Sequence, residues 1–250
     1  MIQIGTSIRE REIPFKYEIE FAKKNKYDFI QLWYKQGNIN HLYENSADEA
    51  VLNSNIKIIL HALMDISDFD IYGDDLIQKL ILYKHKEVII HPVIKSMEVN
   101  SKNDRILADK LIDFCKRLKE LDITVYVENN HDHMQTFYTI EQWEYFFKNA
   151  PDNVYPLIDI VHALFCNDYD YLRRLVQIKY PRALHIADTV KGMRGPKHLH
   201  LPIGDGIVDF DLIFSDILKD FQGLLILEIN NTDKNMIESK KKIINILKDN

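Results

Sequence analysis

Residues 56–92 read IKIILHALMDISDFDIYGDDLIQKLILYKHKEVIIHP, and this stretch decides the fold. Residues 56–61 and 87–92 are short apolar runs with little alternation, which is typical of parallel strands covered on both faces. Residues 74–85 repeat apolar side chains at helical spacing, and we expect Asp74 to cap that helix. The stretch therefore predicts a strand–helix–strand unit.

The same unit recurs along the whole chain. The predicted strands are residues 2–6, 27–33, 56–61, 87–92, 123–128, 154–159, 183–188 and 223–229. The predicted helices are residues 74–85, 101–121, 139–149, 169–179, 209–221 and 235–249, with a weaker one at 46–54 and further N-caps at Ser101 and Thr139.

No linker rich in Pro, Gly or Ser divides the 250 residues, and eight right-handed units of this size close naturally into a barrel. We therefore predict an α/β protein with a single (β/α)₈ TIM barrel over residues 1–250. The alternative, an open doubly wound sheet, lacks the G-x-G-x-x-G pattern after its first strand.

Composition narrows the classes of function. The formal net charge is −6, from 32 Lys and Arg against 38 Asp and Glu, which disfavours an extended nucleic-acid surface. Cys115 and Cys166 are too few for a disulfide framework or a thiolate zinc site. No run of about 18 apolar residues and no leader pattern occurs. We expect a cytoplasmic protein with no membrane partner.

Metal-ligand side chains stand at the ends of the predicted strands. They are His61, His91, Glu128, Asp159 with His162 just beyond, His185 and Glu228. In a parallel barrel these ends meet at one face, where function resides. Single residues have simpler explanations: a strand-end histidine is often structural, and Asp159 could merely cap a helix. The carboxylates of Glu128 and Glu228 follow apolar runs, where burial is costly unless they are paired or metal-bound.

Histidines away from the strand ends are harder to place. For His131 and His133 a solvated loop and a role in the pocket remain equally open, and we expect His41 and His85 to lie at the surface.

The stretch LHIADTVKGMRGPKHLHLPIGDG (184–206) holds three histidines. Its glycines match neither a Walker nor a dinucleotide-binding pattern, which excludes a phosphate cradle of those types. Lys191, Arg194 and Lys197 could hold a phosphate or hydroxyl groups, although such a loop is often only solvated. We expect PIGDG (202–206) to be a turn that leads into a helix at Asp209.

Taken in order, several motifs resemble the xylose-isomerase-like TIM-barrel superfamily, which contains sugar isomerases, sugar epimerases and the endonuclease IV group. The motifs are LHA (60–62), IIHP (89–92), VEN (127–129), IDIVHA (158–163), HIAD (185–188), HLPIGDG (200–206) and ILEI (226–229). They cover nearly the whole chain and are specific for the superfamily, not for one activity.

The resemblance implies a metal-dependent isomerase or epimerase of a carbohydrate. The implied metal ligands are Glu128, Asp159, His185 and Glu228, and the implied substrate contacts are His162 and Arg194. Lys191, from the same charged loop as Arg194, is a further candidate for substrate binding. Zinc, manganese or cobalt held there would polarise a carbonyl beside the C–H bond that loses its proton. Glu128 and Glu228 would then be the acid/base pair. Barrels of this superfamily often form homo-oligomers, and a small carbohydrate is the expected partner.

Endonuclease IV provides an alternative, a phosphodiesterase with up to three zinc ions. The matching positions are His61, His91, Glu128, Asp159, His162, His185, His198, His200 and Glu228, and His198 departs from that group's aspartate. Nucleic acid is expected as a partner only under this alternative. The acidic chain, the short loops and Met64, where the repair enzymes have tyrosine, weigh against it.

Overall fold

The computed structural model describes residues 1–9, 15–39, 47–131, 134, 136–166, 169–190, 200–229 and 232–249. The strands in these residues are β1 (Gln3–Ser7), β2 (Phe29–Lys35), β3 (Asn38–Ile39), β4 (Lys57–Asp65), β5 (Glu87–Val93), β6 (Thr124–Glu128), β7 (Val154–Asp159), β8 (Ala183–Ile186) and β9 (Leu224–Leu227). All but β3 run parallel in one sheet. β1 pairs with both β2 and β9, so the sheet closes and the predicted eight-stranded TIM barrel is confirmed.

Helices surround the barrel and alternate with the strands along the described chain. They are α1 (Phe15–Lys24), α2 (Ala47–Leu52), α3 (Asp68–Ile71), α4 (Gly73–Leu82), α5 (Ser101–Glu120), α6 (Ile140–Asn149), α7 (Ile160–Cys166), α8 (Tyr169–Ile178), α9 (Phe210–Leu212) and α10 (Asp233–Asp249). α9 continues into a π-helical turn at Ile213–Ile217. None of the helices in the described residues is both long enough and apolar enough to cross a bilayer.

One of the three N-caps predicted from the sequence is confirmed. Thr139 caps α6 in a full capping box, as predicted. The prediction for Ser101 is wrong, because Asn100 has the extended backbone that an N-cap requires and its side chain accepts the N–H of Asn103 at 3.0 Å. The prediction for Asp74 is also wrong: α4 begins at Gly73, and no side chain caps it.

Apolar side chains fill the barrel interior below the candidate site. This inner cluster consists of Phe29, Ile59, Ile89, Tyr126, Leu157, Ala183, Leu224 and Ile226. A larger cluster fills the space between the sheet and the helices and includes the buried free thiol of Cys115. Side chains two residues apart on a strand share a face. A residue two positions after a member of the inner cluster, on the same strand, therefore also points to the barrel axis.

Candidate metal centre

Six of the predicted strand-end residues follow the inner cluster by two positions. The pairs are Ile59 and His61, Ile89 and His91, Tyr126 and Glu128, Leu157 and Asp159, Ala183 and His185, and Ile226 and Glu228. The strand period therefore brings these six side chains to one layer at the carboxyl end of the barrel.

Glu128, Asp159, His185 and Glu228 form the centre of this layer. Nδ1 of His185 lies 3.1 Å from Oε1 of Glu128, 3.7 Å from Oδ2 of Asp159 and 2.9 Å from Oε2 of Glu228. One ligand atom from each of the four residues lies within 4.8 Å of the others. Three carboxylates and one imidazole on opposing strands can surround a single divalent cation.

His61 and His91 approach the other oxygen of Glu128. Oε2 lies 2.8 Å from Nε2 of His61 and 3.1 Å from Nδ1 of His91, yet these three buried atoms have no hydrogen-bond partner among the described residues. Together they form a second group of possible ligand atoms that shares Glu128 with the first.

A third group lies beside Asp159. Asp159, His162 and His200 place ligand atoms within 4.8 Å of one another, and the rings of His162 and His200 are 5.8 Å apart. The ring of His131 packs edge-on against His162 at 5.2 Å, which places His131 beside the site.

Gln31, Asn129 and Asn130 hold the ring nitrogens in place, Asn129 through its backbone carbonyl, and the sequence did not predict these contacts. Asn129 accepts the backbone N–H of Asp159 at 2.7 Å, and its own carbonyl lies 3.0 Å from Nδ1 of His162. Asn130 contacts Nε2 of His91. Gln31, on β2, contacts both His61 and His185.

One signal in the sequence could have identified Gln31. It follows Phe29, a member of the inner cluster, by two positions, and it is the polar residue within the apolar run FIQLW (29–33).

The charges of the cluster favour a cation. Burial raises the pKa of Glu128, but His91, His185 and His61 outweigh it and hold that pKa well below its ordinary value. Burial likewise opposes ionisation of Glu228, whose pKa is lowered by His185. Burial lowers the pKa of His185, yet Glu228 and Glu128 raise it well above its ordinary value. The carboxylates are therefore anionic, and a metal would replace the proton of His185.

The residues present fit a divalent metal. Oδ2 of Asp159 is fully buried without a hydrogen-bond partner in the described part of the chain. An unpaired carboxylate oxygen in such a place is costly, and a cation removes that cost. The ligands are oxygen and imidazole nitrogen, which suit zinc, manganese and cobalt.

Several predicted residues lie outside this cluster or outside the described residues. His41, His133, Lys191, Arg194, Lys197 and His198 belong to the undescribed segments. His85 is half-buried instead of at the surface, and burial lowers its pKa to about 4.

Asp188 of HIAD (185–188) has a structural role: it holds a turn in place. Its carboxylate accepts the N–H groups of Thr189, Gly204 and Val208 at 2.8–3.0 Å. A side chain at Gly206 would collide with this carboxylate. These bonds form the predicted turn at 202–206, and Asp209 caps α9 as the chain leaves it.

A closed parallel barrel with histidines and carboxylates gathered at the carboxyl ends of its strands defines a TIM barrel with a candidate metal centre. The chain belongs to the xylose isomerase-like TIM barrel family, whose model matches residues 74–248. No curated protein sequence matches the chain.

Solved structures with the same fold include proteins of different chemistry. D-psicose 3-epimerase from Clostridium cellulolyticum H10, solved with D-tagatose, is 13% identical with a TM-score of 0.72, over 98% of this chain and 99% of that one. The IolI protein with a zinc atom is 18% identical with a TM-score of 0.77, over 98% of each chain. A probable 3-DHS dehydratase from Bacillus anthracis is 15% identical with a TM-score of 0.70, over 97% of this chain and 98% of that one. At these identities the similarities establish the fold.

Proposed function

We propose that the protein is a divalent-metal-dependent isomerase or epimerase of a sugar or sugar phosphate. The observation that carries this proposal is the convergence of Glu128, Asp159 and Glu228 on Nδ1 of His185 in a buried layer at the barrel mouth. Family membership supports it, as do structural neighbours described as an epimerase and as a zinc-binding protein. A bound divalent cation would polarise a substrate carbonyl and its neighbouring hydroxyl.

In this proposal, Glu128 and Glu228 move the proton. Each turns one carboxylate oxygen towards His185, and the second oxygen of Glu228, Oε1, lies 3.4 Å from Gln31. The side chain of Glu228 is 12% exposed and that of Glu128 only 1%. Glu228 is therefore the carboxylate more open to a substrate, and we assign it the first proton transfer, with Glu128 as its counterpart.

Substrate hydroxyl groups would be held on the side of His162. Its ring is largely buried, and its Nδ1 faces the carbonyl of Asn129, so Nε2 is the nitrogen left for a ligand. Arg194 and Lys191 complete this part of the proposal as predictions.

A second candidate function has a specific observation in its favour. The groups His61, His91, Glu128 and Asp159, His162, His200 provide ligand atoms for further metals, as a multi-zinc phosphodiesterase acting on abasic-site DNA would require. Metal number separates the two functions: about three zinc ions per chain support the phosphodiesterase, and one excludes it.

The test is turnover on two substrate panels with Mn, Co and Zn supplied in turn. We expect interconversion of one aldose–ketose or epimer pair and no cleavage of abasic-site DNA. Cleavage of DNA without any sugar turnover would replace the proposal with the phosphodiesterase. No turnover on either panel, together with no bound metal, would contradict both.

A further inference from the structure

Gln31 lies between two histidines of the candidate metal centre. Its side chain is fully buried; its Nε2 lies 3.0 Å from Nδ1 of His61, and its Oε1 lies 2.7 Å from Nε2 of His185. One amide thus contacts the ring edges that point away from Glu128. Which nitrogen of each ring carries a proton depends on this amide.

The neighbours of Nε2 fix the orientation of the amide. Nε2 of Gln31 lies 3.4 Å from Oε1 of Glu228, and an ionised carboxylate can only accept a hydrogen bond. It also lies 3.2 Å from the hydroxyl of Ser7, whose own proton goes to the carbonyl of Ile8, so one N–H of the amide serves both oxygens and the other is left for His61. The amide nitrogen therefore belongs on the side of His61, and the amide oxygen on the side of His185.

The rings of His61 and His185 consequently present different nitrogens to the candidate metal centre, one that keeps its proton and one that can bind a metal. Nδ1 of His61 accepts from Gln31, so the ring proton is on Nε2, 2.8 Å from Oε2 of Glu128. A protonated ring nitrogen has no lone pair for a metal. Nε2 of His185 donates to Gln31, so Nδ1, which faces Glu128 and Glu228, is the nitrogen whose proton a metal can replace. Reversing the amide would exchange the two roles, so in neither orientation do both histidines serve as ligands.

His91 is held differently. Asn130 donates to the carbonyl of Pro92 at 2.8 Å, so its amide oxygen is the atom that faces Nε2 of His91. Nε2 of His91 therefore donates to Asn130, and Nδ1, 3.1 Å from Oε2 of Glu128, is the only nitrogen of this ring that can bind a metal. The group His61, His91, Glu128 therefore contains two ligands and one N–H donor, which is too few for a protein-held zinc ion.

We infer that Gln31 is a positioning residue that prevents His61 from binding a metal, so that the group His61, His91, Glu128 holds none and Nε2 of His61, beside Glu128, keeps its proton. The inference rests on the proposed metal site and separates it from the multi-zinc alternative. It also explains why a fully buried glutamine occupies the layer of ligands, where an apolar residue would cost less to bury.

The first test reads the ring protons directly by ¹⁵N NMR of the histidine side chains in the metal-free and zinc-loaded protein, with His61→Gln used to assign the signals. We expect His61 to keep a proton on Nε2 and none on Nδ1 in both forms. Loss of the Nε2 proton when zinc is added, or a proton on Nδ1 in the metal-free form, would overturn the inference. If the protein binds none of zinc, manganese and cobalt, the proposed function fails, and the metal-free spectrum still decides the inference.

The second test changes Gln31→Glu. The new carboxylate still accepts from His185 but cannot donate to His61, so Nδ1 of His61 takes the proton and Nε2 is freed for a metal. We expect the variant to bind one more zinc ion per chain than the wild type at saturation, counted by elemental analysis after gel filtration.

The double variant Gln31→Glu with His61→Ala controls for the added negative charge and should return to the wild-type metal number. Equal metal numbers in wild type and Gln31→Glu, or an extra metal that persists in the double variant, would contradict the inference. If Gln31→Glu does not fold, the NMR measurement on the wild type decides.

Discussion

Asp159 and His162 are joined through only one of the two oxygens of the aspartate. Oδ1 accepts the backbone N–H of His162 at 2.9 Å, which is the bond of an N-cap at the start of α7. Oδ2 lies 3.5 Å from Nδ1 of His162 and 3.7 Å from Nδ1 of His185, without a hydrogen bond from any described residue. The helix-cap and metal-ligand hypotheses are thus compatible, because one carboxylate can do both.

Substitutions at Asp159 should separate these two contributions. In Asp159→Asn the amide oxygen keeps the cap, so we expect the metal-free protein to unfold in urea within about 0.5 kcal/mol of wild type. Zinc affinity should fall by more than about 100-fold, since losing a group that merely supports a ligand costs 10–100-fold. Asp159→Ala should lose the cap as well, at about 1 kcal/mol more. Wild-type zinc affinity in Asp159→Asn, titrated against a chromophoric chelator, would remove Asp159 from the ligands.

Glu228→Gln tests the assignment of proton transfer. The amide keeps the size of the side chain but cannot take up a proton, so we expect kcat on the best substrate of the sugar panel to fall by about 10²–10⁴, with an unchanged circular dichroism spectrum. Glu238→Gln is a matched control on α10, where the carboxylate is half exposed and 3.9 Å from Lys234. It should leave kcat unchanged. An active Glu228→Gln variant would refute the role of Glu228.

The sequence predicts the barrel and the centre of the site for the same physical reason. The apolar interior of a parallel barrel and its polar mouth are lined by the same face of each strand. A metal ligand two positions after an inward-pointing apolar residue, as Glu128 is after Tyr126, can therefore be predicted from sequence spacing alone. The same rule would have found Gln31. The rule gives the position of Gln31 but not its partners, because the orientation of its amide depends on four side chains from other parts of the barrel: Ser7, His61, His185 and Glu228.

Helix boundaries were less predictable. α7 (Ile160–Cys166) is not among the predicted helices, because seven residues with His162 as their single polar side chain are too few to show a helical period. The segment predicted as a helix over 209–221 is a short α-helix followed by a π-helical turn, and a spacing pattern does not distinguish the two. Asn100 and Ser101 are both good caps by residue type, and only backbone conformation decides between them.

Asp65, at the end of β4, should make stability depend on pH. Its carboxylate accepts the backbone N–H groups of Lys95 and Ser96 at 2.5 and 3.3 Å and the hydroxyl of Ser67 at 2.8 Å. Burial raises its pKa, but a hydrogen bond from the side chain of Ser96 and the three hydrogen bonds above outweigh burial and lower the pKa to about 2. Because the folded-state pKa lies below the unfolded value of about 3.9, the contribution is complete above about pH 5 and is lost as the pH falls towards 2.

Asp65→Asn should remove this dependence. We expect the difference in the free energy of unfolding between wild type and variant to shrink by about 2 kcal/mol from pH 7 to pH 2, with roughly half of the loss reached near pH 3. Urea unfolding at several pH values measures it. Asp113→Asn, whose parent side chain is 74% exposed, is the control and should show no such trend. A constant difference at all pH values would contradict the assignment to Asp65.

Gly5 and Phe29 should be energetically coupled at the base of the barrel. They are register partners on β1 and β2, and a Cβ on Gly5 would lie 2.3 Å from the buried ring of Phe29. Gly5→Ala should therefore destabilise the protein by about 1–3 kcal/mol through overpacking. Gly73→Ala is the matched control, because its Cβ would meet Phe114 at an ordinary 3.4 Å, and it should be neutral or slightly stabilising. Phe29→Leu makes room, so Gly5→Ala should cost at least about 0.5 kcal/mol less in that background. Urea unfolding of the four proteins of this cycle measures the coupling, and strictly additive costs would show that the ring of Phe29 is not what excludes a side chain at Gly5.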